Sequence, residues 1–202
     1  MCHKKSGFLE AITGCMFSGK TDELIRRLER VEIAGRKYLL FKPSIDDRYK
    51  KTAVVSHRGI ELPAVLIDSE QETVSGLLGA LESANWEVSL EEADVVAFDE
   101  GNLFSKKLLD LCRELIGLGK RVIVSGLDLT YNQEPFEPMP QVMALAEEVL
   151  KLKAVCKKCG EPATKTLRTT SSKERIVVGG KDDYEAVCAT CYARIRKEQE
   201  IS

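Results

Sequence analysis

Gly14-Cys15-Met16-Phe17-Ser18-Gly19-Lys20-Thr21 fits the phosphate-loop pattern G-x-x-x-x-G-K-S/T and lies between segments of different periodicity. Phe8-Leu9-Glu10-Ala11-Ile12-Thr13 reads as a strand, while Leu24, Ile25, Leu28, Val31 and Ile33 form a helical stripe. Strand, loop and helix in that order are what the octet needs. Its glycines let the backbone wrap until successive N–H groups face the phosphates, Lys20 reaches the β and γ oxygens, and the Thr21 hydroxyl can sit on Mg²⁺. All eight positions, Gly14, Cys15, Met16, Phe17, Ser18, Gly19, Lys20 and Thr21, are therefore candidates for binding a nucleoside triphosphate.

Further β-type runs occur at Tyr38-Leu39-Leu40-Phe41, Val95-Val96-Ala97-Phe98 and Arg121-Val122-Ile123-Val124, with a shorter one at Ala64-Val65-Leu66-Ile67. Helical patterns at 22–34, about 70–83, 105–118 and about 139–150 alternate with them. The order predicts an α/β fold, a RecA-like P-loop domain whose mostly parallel sheet carries helices on both faces. Such sheets bind ligands beyond the carboxyl ends of their strands. Glu82 to Glu92, which holds the single Trp, Trp86, lacks clear periodicity and reads as a surface excursion. After Leu152 the long elements give way to short polar runs punctuated by cysteines. We expect a nucleotide-binding domain over 1–152 and a small zinc-ribbon domain over 153–202.

Charge and hydropathy exclude some classes. With 30 basic against 32 acidic residues the net charge is −2, so no bulk field draws in nucleic acid. No apolar run approaches the ~18 residues of a spanning helix and no export signal is evident, so the expectation is a cytoplasmic protein without a membrane role. In that compartment, regular spacing among the seven cysteines points to metal rather than disulfides.

Two constellations stand out. Val95-Val96-Ala97-Phe98-Asp99-Glu100 ends an apolar strand in adjacent carboxylates, where Asp99 would hold Mg²⁺ directly or through water and Glu100 would accept a proton from a nucleophile. Cys156-Lys157-Lys158-Cys159 and Cys188-Ala189-Thr190-Cys191 supply four thiolates, enough for a closed tetrahedral zinc site of structural type. A redox reading is weaker because neither pair opens a βαβ helix. Cys112 fits the core and Cys2 a terminal tail. Cys15 presents two readings: a reactive thiol whose pKa is lowered by loop N–H groups, Lys20 and a helix N-terminus, or a small side chain facing away from solvent.

From about Phe8 to Tyr192 the chain resembles the type II, cellular and bacterial, thymidine kinases. The phosphate loop, Lys42-Pro43-Ser44-Ile45-Asp46-Asp47-Arg48-Tyr49, Ser56-His57-Arg58-Gly59 and Asp99-Glu100-Gly101-Asn102-Leu103-Phe104 carry the resemblance. So do Gly126-Leu127-Asp128, Pro135-Phe136, Lys151 to Cys156, Val178-Gly179-Gly180, Tyr184 and Cys188 to Tyr192. The resemblance implies ATP-dependent 5′-phosphorylation of thymidine and deoxyuridine, with Glu100 as base, Thr21, Asp99 and Asp46 around Mg²⁺, and Arg48 near the phosphates. It implies an acceptor site in which Met16, Leu103, Leu127, Tyr131 and Phe136 form floor and wall. Thr166, Val177, Gly179 and Tyr184 belong to a loop that closes over the pyrimidine from the zinc module. It further implies a homotetramer, feedback inhibition by thymidine triphosphate, and a structural rather than catalytic His57.

The chain departs from that pattern at Cys15, where the family usually has proline, at Leu103, where many members have an aromatic residue, and in a longer stretch from about Asp68 to Glu92. Losing an aromatic ring at 103 predicts weaker or looser base binding, since such contacts contribute about 0.5–1.5 kcal/mol beyond burial. Two rival readings are a nucleic-acid-dependent ATPase with a zinc ribbon and a non-catalytic nucleotide-binding module. The balanced charge opposes the first, and intact Lys20, Thr21, Asp99 and Glu100 oppose the second.

Overall fold

In a computed structural model of the protein, residues 6–45, 53–55, 59–68, 71–169 and 183–201 are described. The elements are β1 (Phe8–Gly14), α1 (Lys20–Ile33), β2 (Tyr38–Pro43), β3 (Ala53–Val55), β4 (Glu61–Pro63), β5 (Val65–Ile67), α2 (Val74–Ser83) and β6 (Val95–Phe98). They continue as α3 (Lys107–Gly117), β7 (Arg121–Gly126), α4 (Met139–Leu145), β8 (Glu148–Leu152), β9 (Ala154–Val155), β10 (Pro162–Ala163), β11 (Lys165–Arg168), β12 (Tyr184–Val187) and α5 (Ala189–Ile201). The six-stranded sheet has the order β5-β2-β6-β7-β1-β8, and every pair in it is parallel.

Strand alternation divides the core into two layers. Leu9, Ala11, Leu39, Phe41, Val96, Phe98, Val122 and Val124 point to one face, where α2, α3 and α4 contribute Leu77, Leu108, Leu111, Leu115 and Val142. Ile12, Leu40, Val95, Ala97 and Ile123 point to the other, where Leu24, Ile25, Leu28 and Val31 of α1 cover them. Phe98 stacks on Phe41 and meets Phe104 edge-on, each at 5.7 Å between ring centroids. Cys112 is buried in the first layer, as expected.

The structure corrects two sequence expectations. The helix expected over about 139–150 ends at Leu145, and Glu148–Leu152 is instead the edge strand β8, paired with β1. Glu147 makes that switch: its backbone N–H donates to Leu9 O at 3.0 Å while its Oε2 accepts from Leu9 N at 2.7 Å. The 82–92 segment is more than an excursion, because Trp86 and Val88 pack against the first core layer. Helix α2 before it starts at Val74, capped by Thr73, whose Oγ1 accepts from Gly76 N at 3.0 Å.

Among the described residues no helix is long and apolar enough to cross a membrane. Beyond β8, the short antiparallel pairs β9–β10 and β11–β12, with α5, surround a small cluster of Ala154, Cys156, Ala163, Leu167, Ala186, Val187 and Cys191.

Candidate functional site

The carboxyl ends of β1, β6 and β7 converge on one edge of the sheet. At the end of β1, Gly14 has φ 141°, and a Cβ there would lie 2.5 Å from Leu152 O and 2.9 Å from Ser18 Oγ. The loop turns through left-handed conformations at Phe17 (φ 65°) and Gly19 (φ 84°) before α1 begins. A non-glycine residue such as Phe17 adopts that region only when its surroundings hold it there. Lys20 folds back, its Nζ donating to Cys15 O at 3.0 Å. Burial lowers its pKa, and Glu100, Cys15, Asp99 and Asp128 pull it upward. Ser18 Oγ is buried without a hydrogen-bond partner among the described residues. A glycine cradle, an orphaned hydroxyl and a lysine at a helix N-terminus together suit a polyphosphate.

Asp99 follows β6, buried, with its backbone N–H donating to Phe41 O at 2.9 Å. Desolvation, then the charge of Glu100, pushes its pKa up to about 7, against the pull of Ser125 and Lys20. A buried carboxylate so placed gains strongly from a cation. Glu100 has φ 52° and is half-buried, so the chain turns sharply directly after Asp99. The 3₁₀ turn Gly101–Leu103 behind it is tightly seated: a Cβ on Gly101 would come within 2.6 Å of Val124 Cγ1 and 2.8 Å of Met139 Sδ.

The rest of the predicted acceptor wall is contiguous with this edge. Buried Asn102 accepts from Leu127 N at 2.8 Å through Oδ1, which sets the Leu103 and Leu127 backbones side by side. Phe136 N donates to Asp128 O at 3.0 Å across a turn closed by Thr130 and Glu134. Met16, Leu103, Leu127, Tyr131 and Phe136 are all half-buried, apolar bodies at the rim of the phosphate edge. Met16 N donates to Thr166 Oγ1 at 3.1 Å, and Tyr192 OH to Tyr131 O at 2.8 Å, so the cysteine module is hydrogen-bonded to the phosphate loop and the wall alike. Thr166 and Tyr184 are both buried at this junction. Asp46, Arg48, His57, Val177 and Gly179 lie outside the described residues.

The reactive-thiol reading of Cys15 is overturned. Its Sγ is buried, donates to Ala163 O at 3.4 Å and joins the apolar cluster of the cysteine module. Burial is the largest influence and raises its pKa, outweighing Lys20 and the backbone. In this loop, residue 15 can offer phosphate only its backbone. Three contributors were not picked out as site residues: Asp128, Asn102 and Arg168. Asp128 is buried, paired with Lys151 at 2.5 Å and electrostatically sensed by Lys20. It lay within the quoted Gly126-Leu127-Asp128, but a carboxylate two residues beyond a strand's last glycine carries no pattern of its own.

Cys156, Cys159, Cys188 and Cys191 place their sulfurs within 4.8 Å of one another, with Cys159 and Cys188 Sγ 3.7 Å apart. Tetrahedral zinc with bonds of about 2.3 Å requires sulfurs about 3.8 Å apart, so the donor set and spacing suit that ion.

The sequence profile of the thymidine kinase family matches residues 7–192. The chain is 42% identical to a thymidine kinase of Haloquadratum walsbyi over 93% of its length and 95% of that protein's, and 42% identical to one of Halobacterium salinarum over 96% and 97%. It is 45% identical to a thymidine kinase of a Rhodothermus species, over 92% of this chain and 81% of that one. With a P-loop sheet, an Asp-Glu strand end and a four-cysteine module locked onto the phosphate loop, the chain belongs to the thymidine kinase family.

Proposed function

We propose that this protein transfers the γ-phosphoryl group of ATP to the 5′-hydroxyl of thymidine, and of deoxyuridine, as a step of pyrimidine deoxynucleoside salvage. The observation that carries the reading is the Met16–Thr166 hydrogen bond. It joins the loop that suits the donor phosphates to the module that carries the acceptor loop, so two substrates meet at one edge.

On this reading the backbone of 14–21 and Lys20 hold the donor, while Thr21, Asp99 and Asp46 would hold Mg²⁺, which would supply positive charge against the phosphates. Asp99, buried at the end of β6, would offer such a cation a carboxylate ligand there. Glu100 takes the proton of the 5′-hydroxyl as the hydroxyl oxygen attacks the γ-phosphorus and the bond from that phosphorus to the bridging oxygen breaks, releasing ADP. Arg48 adds charge beside the phosphates. Since phosphoryl transfer asks mainly for positioning and electrostatic stabilisation, these residues suffice without a covalent intermediate. Met16, Leu103, Leu127, Tyr131 and Phe136 bound the acceptor, with Thr166, Val177, Gly179 and Tyr184 closing on the base. Zinc on the four cysteines is structural, because four thiolates leave no open position.

The same reading assigns 1–152 to the kinase domain and 153–202 to the zinc domain, and places a homotetramer, inhibited by thymidine triphosphate, in the cytoplasm. Radiolabelled phosphate transfer from ATP to thymidine and deoxyuridine tests it. ATP turnover that needs polynucleotide and ignores nucleosides would replace it with the nucleic-acid-dependent ATPase.

A further inference from the structure

The proposed acceptor wall draws on two pieces of chain that meet around a buried arginine. Arg168 lies on β11 two residues after Thr166, so strand alternation puts both side chains on the same face. Thr166 on that face engages the phosphate loop, and Arg168 engages the wall. Its guanidinium carbon sits 3.8 Å from the centroid of the Tyr131 ring and 5.4 Å from that of Tyr184, while Nη2 donates to the Tyr184 hydroxyl at 2.9 Å. Arg168 and Tyr184 are buried, at 8% and 7% exposure, so water screens these contacts little. Tyr131 is anchored from its other end, its carbonyl accepting from Tyr192 OH at 2.8 Å.

A buried charge is costly unless partners compensate it, and Tyr131 and the Tyr184 hydroxyl are among the groups that meet Arg168. A methionine of similar length would fill the space between two rings. Arginine adds what methionine lacks: a planar cation that stacks on Tyr131 while its edge fixes the Tyr184 hydroxyl, so two aromatic orientations are set by one rigid group. Tyr131 rides on the turn after β7, and Tyr184 opens β12 of the cysteine module. Their relative placement therefore depends on Arg168.

We propose that Arg168 is a positioning residue for the nucleoside acceptor, holding Tyr131 and Tyr184 at the separation and tilt that the pyrimidine requires. The inference rests on the thymidine reading above. Its contacts with Tyr131 and Tyr184 lie on the acceptor side, so its signature is selective: acceptor binding weakens while donor binding stands.

Arg168→Met and Arg168→Lys test it, with steady-state kinetics in each substrate and zinc content measured on the same samples. For Arg168→Met, the KM for thymidine rises about ten- to thirty-fold, the worth of a desolvated cation–π contact, while the KM for ATP stays within about two-fold and zinc is retained. Arg168→Lys keeps the cation but not the planar fork and recovers part of the loss. If Arg168→Met does not fold, Arg168→Lys carries the test alone, and its thymidine KM must still rise without a matching rise for ATP. A thymidine KM unchanged in the folded variants, or thymidine and ATP constants that rise together, overturns the proposal. A parent enzyme that phosphorylates no pyrimidine nucleoside overturns the function itself; one that phosphorylates thymidine while Arg168 variants match it overturns only the role of Arg168.

Discussion

Glu100 takes a left-handed backbone conformation, φ 52°, that glutamate ordinarily avoids, and Gly101 behind it has no room for a methyl group. Strain of that kind persists where packing over-determines it, and here the closely seated Gly101 helps to hold the turn. Replacing the carboxylate by the isosteric amide leaves the turn and removes the proposed proton acceptor. We expect Glu100→Gln to lower kcat roughly 10²–10⁴-fold with KM for ATP and thymidine nearly unchanged; turnover within a few-fold of the parent would take the base role away from Glu100. Cys15, in the phosphate loop after β1, carries the opposite expectation. Buried under Ala163 with its pKa raised by burial, it should resist alkylation in the native protein whether or not ATP is bound, as peptide mass mapping would record. Protection that appears only with ATP would mean the thiol faces the phosphates after all.

Helix α1 is tied to the sheet by charge as well as by its apolar stripe. Buried Glu10 on β1 bonds both Arg27 of α1 and Arg121 of β7, and Arg27 also reaches Glu23 and the edge strand's Glu148. Glu23, in the first turn after the phosphate loop, has its pKa lowered to about 2 from 4.5, by the hydrogen bond from Arg26 first and then by Arg27. A carboxylate depressed on folding stabilises the fold above its unfolded pKa and ceases to do so as pH falls through its folded one. The stability gap between the parent and Glu23→Gln, read from urea midpoints, should be widest at about pH 7 and shrink steadily at about pH 3.5 and below. A gap independent of pH would assign Glu23 only a packing role. At this scale the sequence was legible wherever strand and helix bury a continuous apolar face, which is why β1, β2, β6, β7, α1 and α3 were found near their true limits. It was misleading at β8, whose outward side is solvated and whose Val149 and Leu152 continue the spacing of Val142 and Leu145 in α4, so that the run also suits one longer helix. The phosphate loop, the carboxylate pair and the cysteines announced themselves because their chemistry demands fixed spacing. Asn102, Asp128 and Arg168 did not, since their partners are distant in sequence and only folding brings them together.

Across the whole molecule, the large sheet and the cysteine module differ in what holds them. The sheet has two layers of large aliphatic and aromatic side chains, whereas the module's cluster is mostly alanine and cysteine around two-stranded ladders, which are marginal in water alone. A metal on the four cysteines, if bound as proposed, would then add folding free energy that the module's small core lacks. Cys15 and Cys112 report on the two parts separately, since one lies against the module and the other in the sheet's core. With one zinc per chain established by metal analysis, removal by a strong chelator should release the contacts of Ala163 and Thr166 with the phosphate loop, and Cys15 should become open to alkylation. Cys112 should stay protected, ATP should still bind, and thymidine binding should be lost. The conservative variant Cys188→Ser should reproduce this pattern without chelator. Alkylation of Cys112 in step with Cys15 would mean that zinc supports the entire fold, and Cys15 staying closed in the metal-free protein would mean that the module packs on the loop without it.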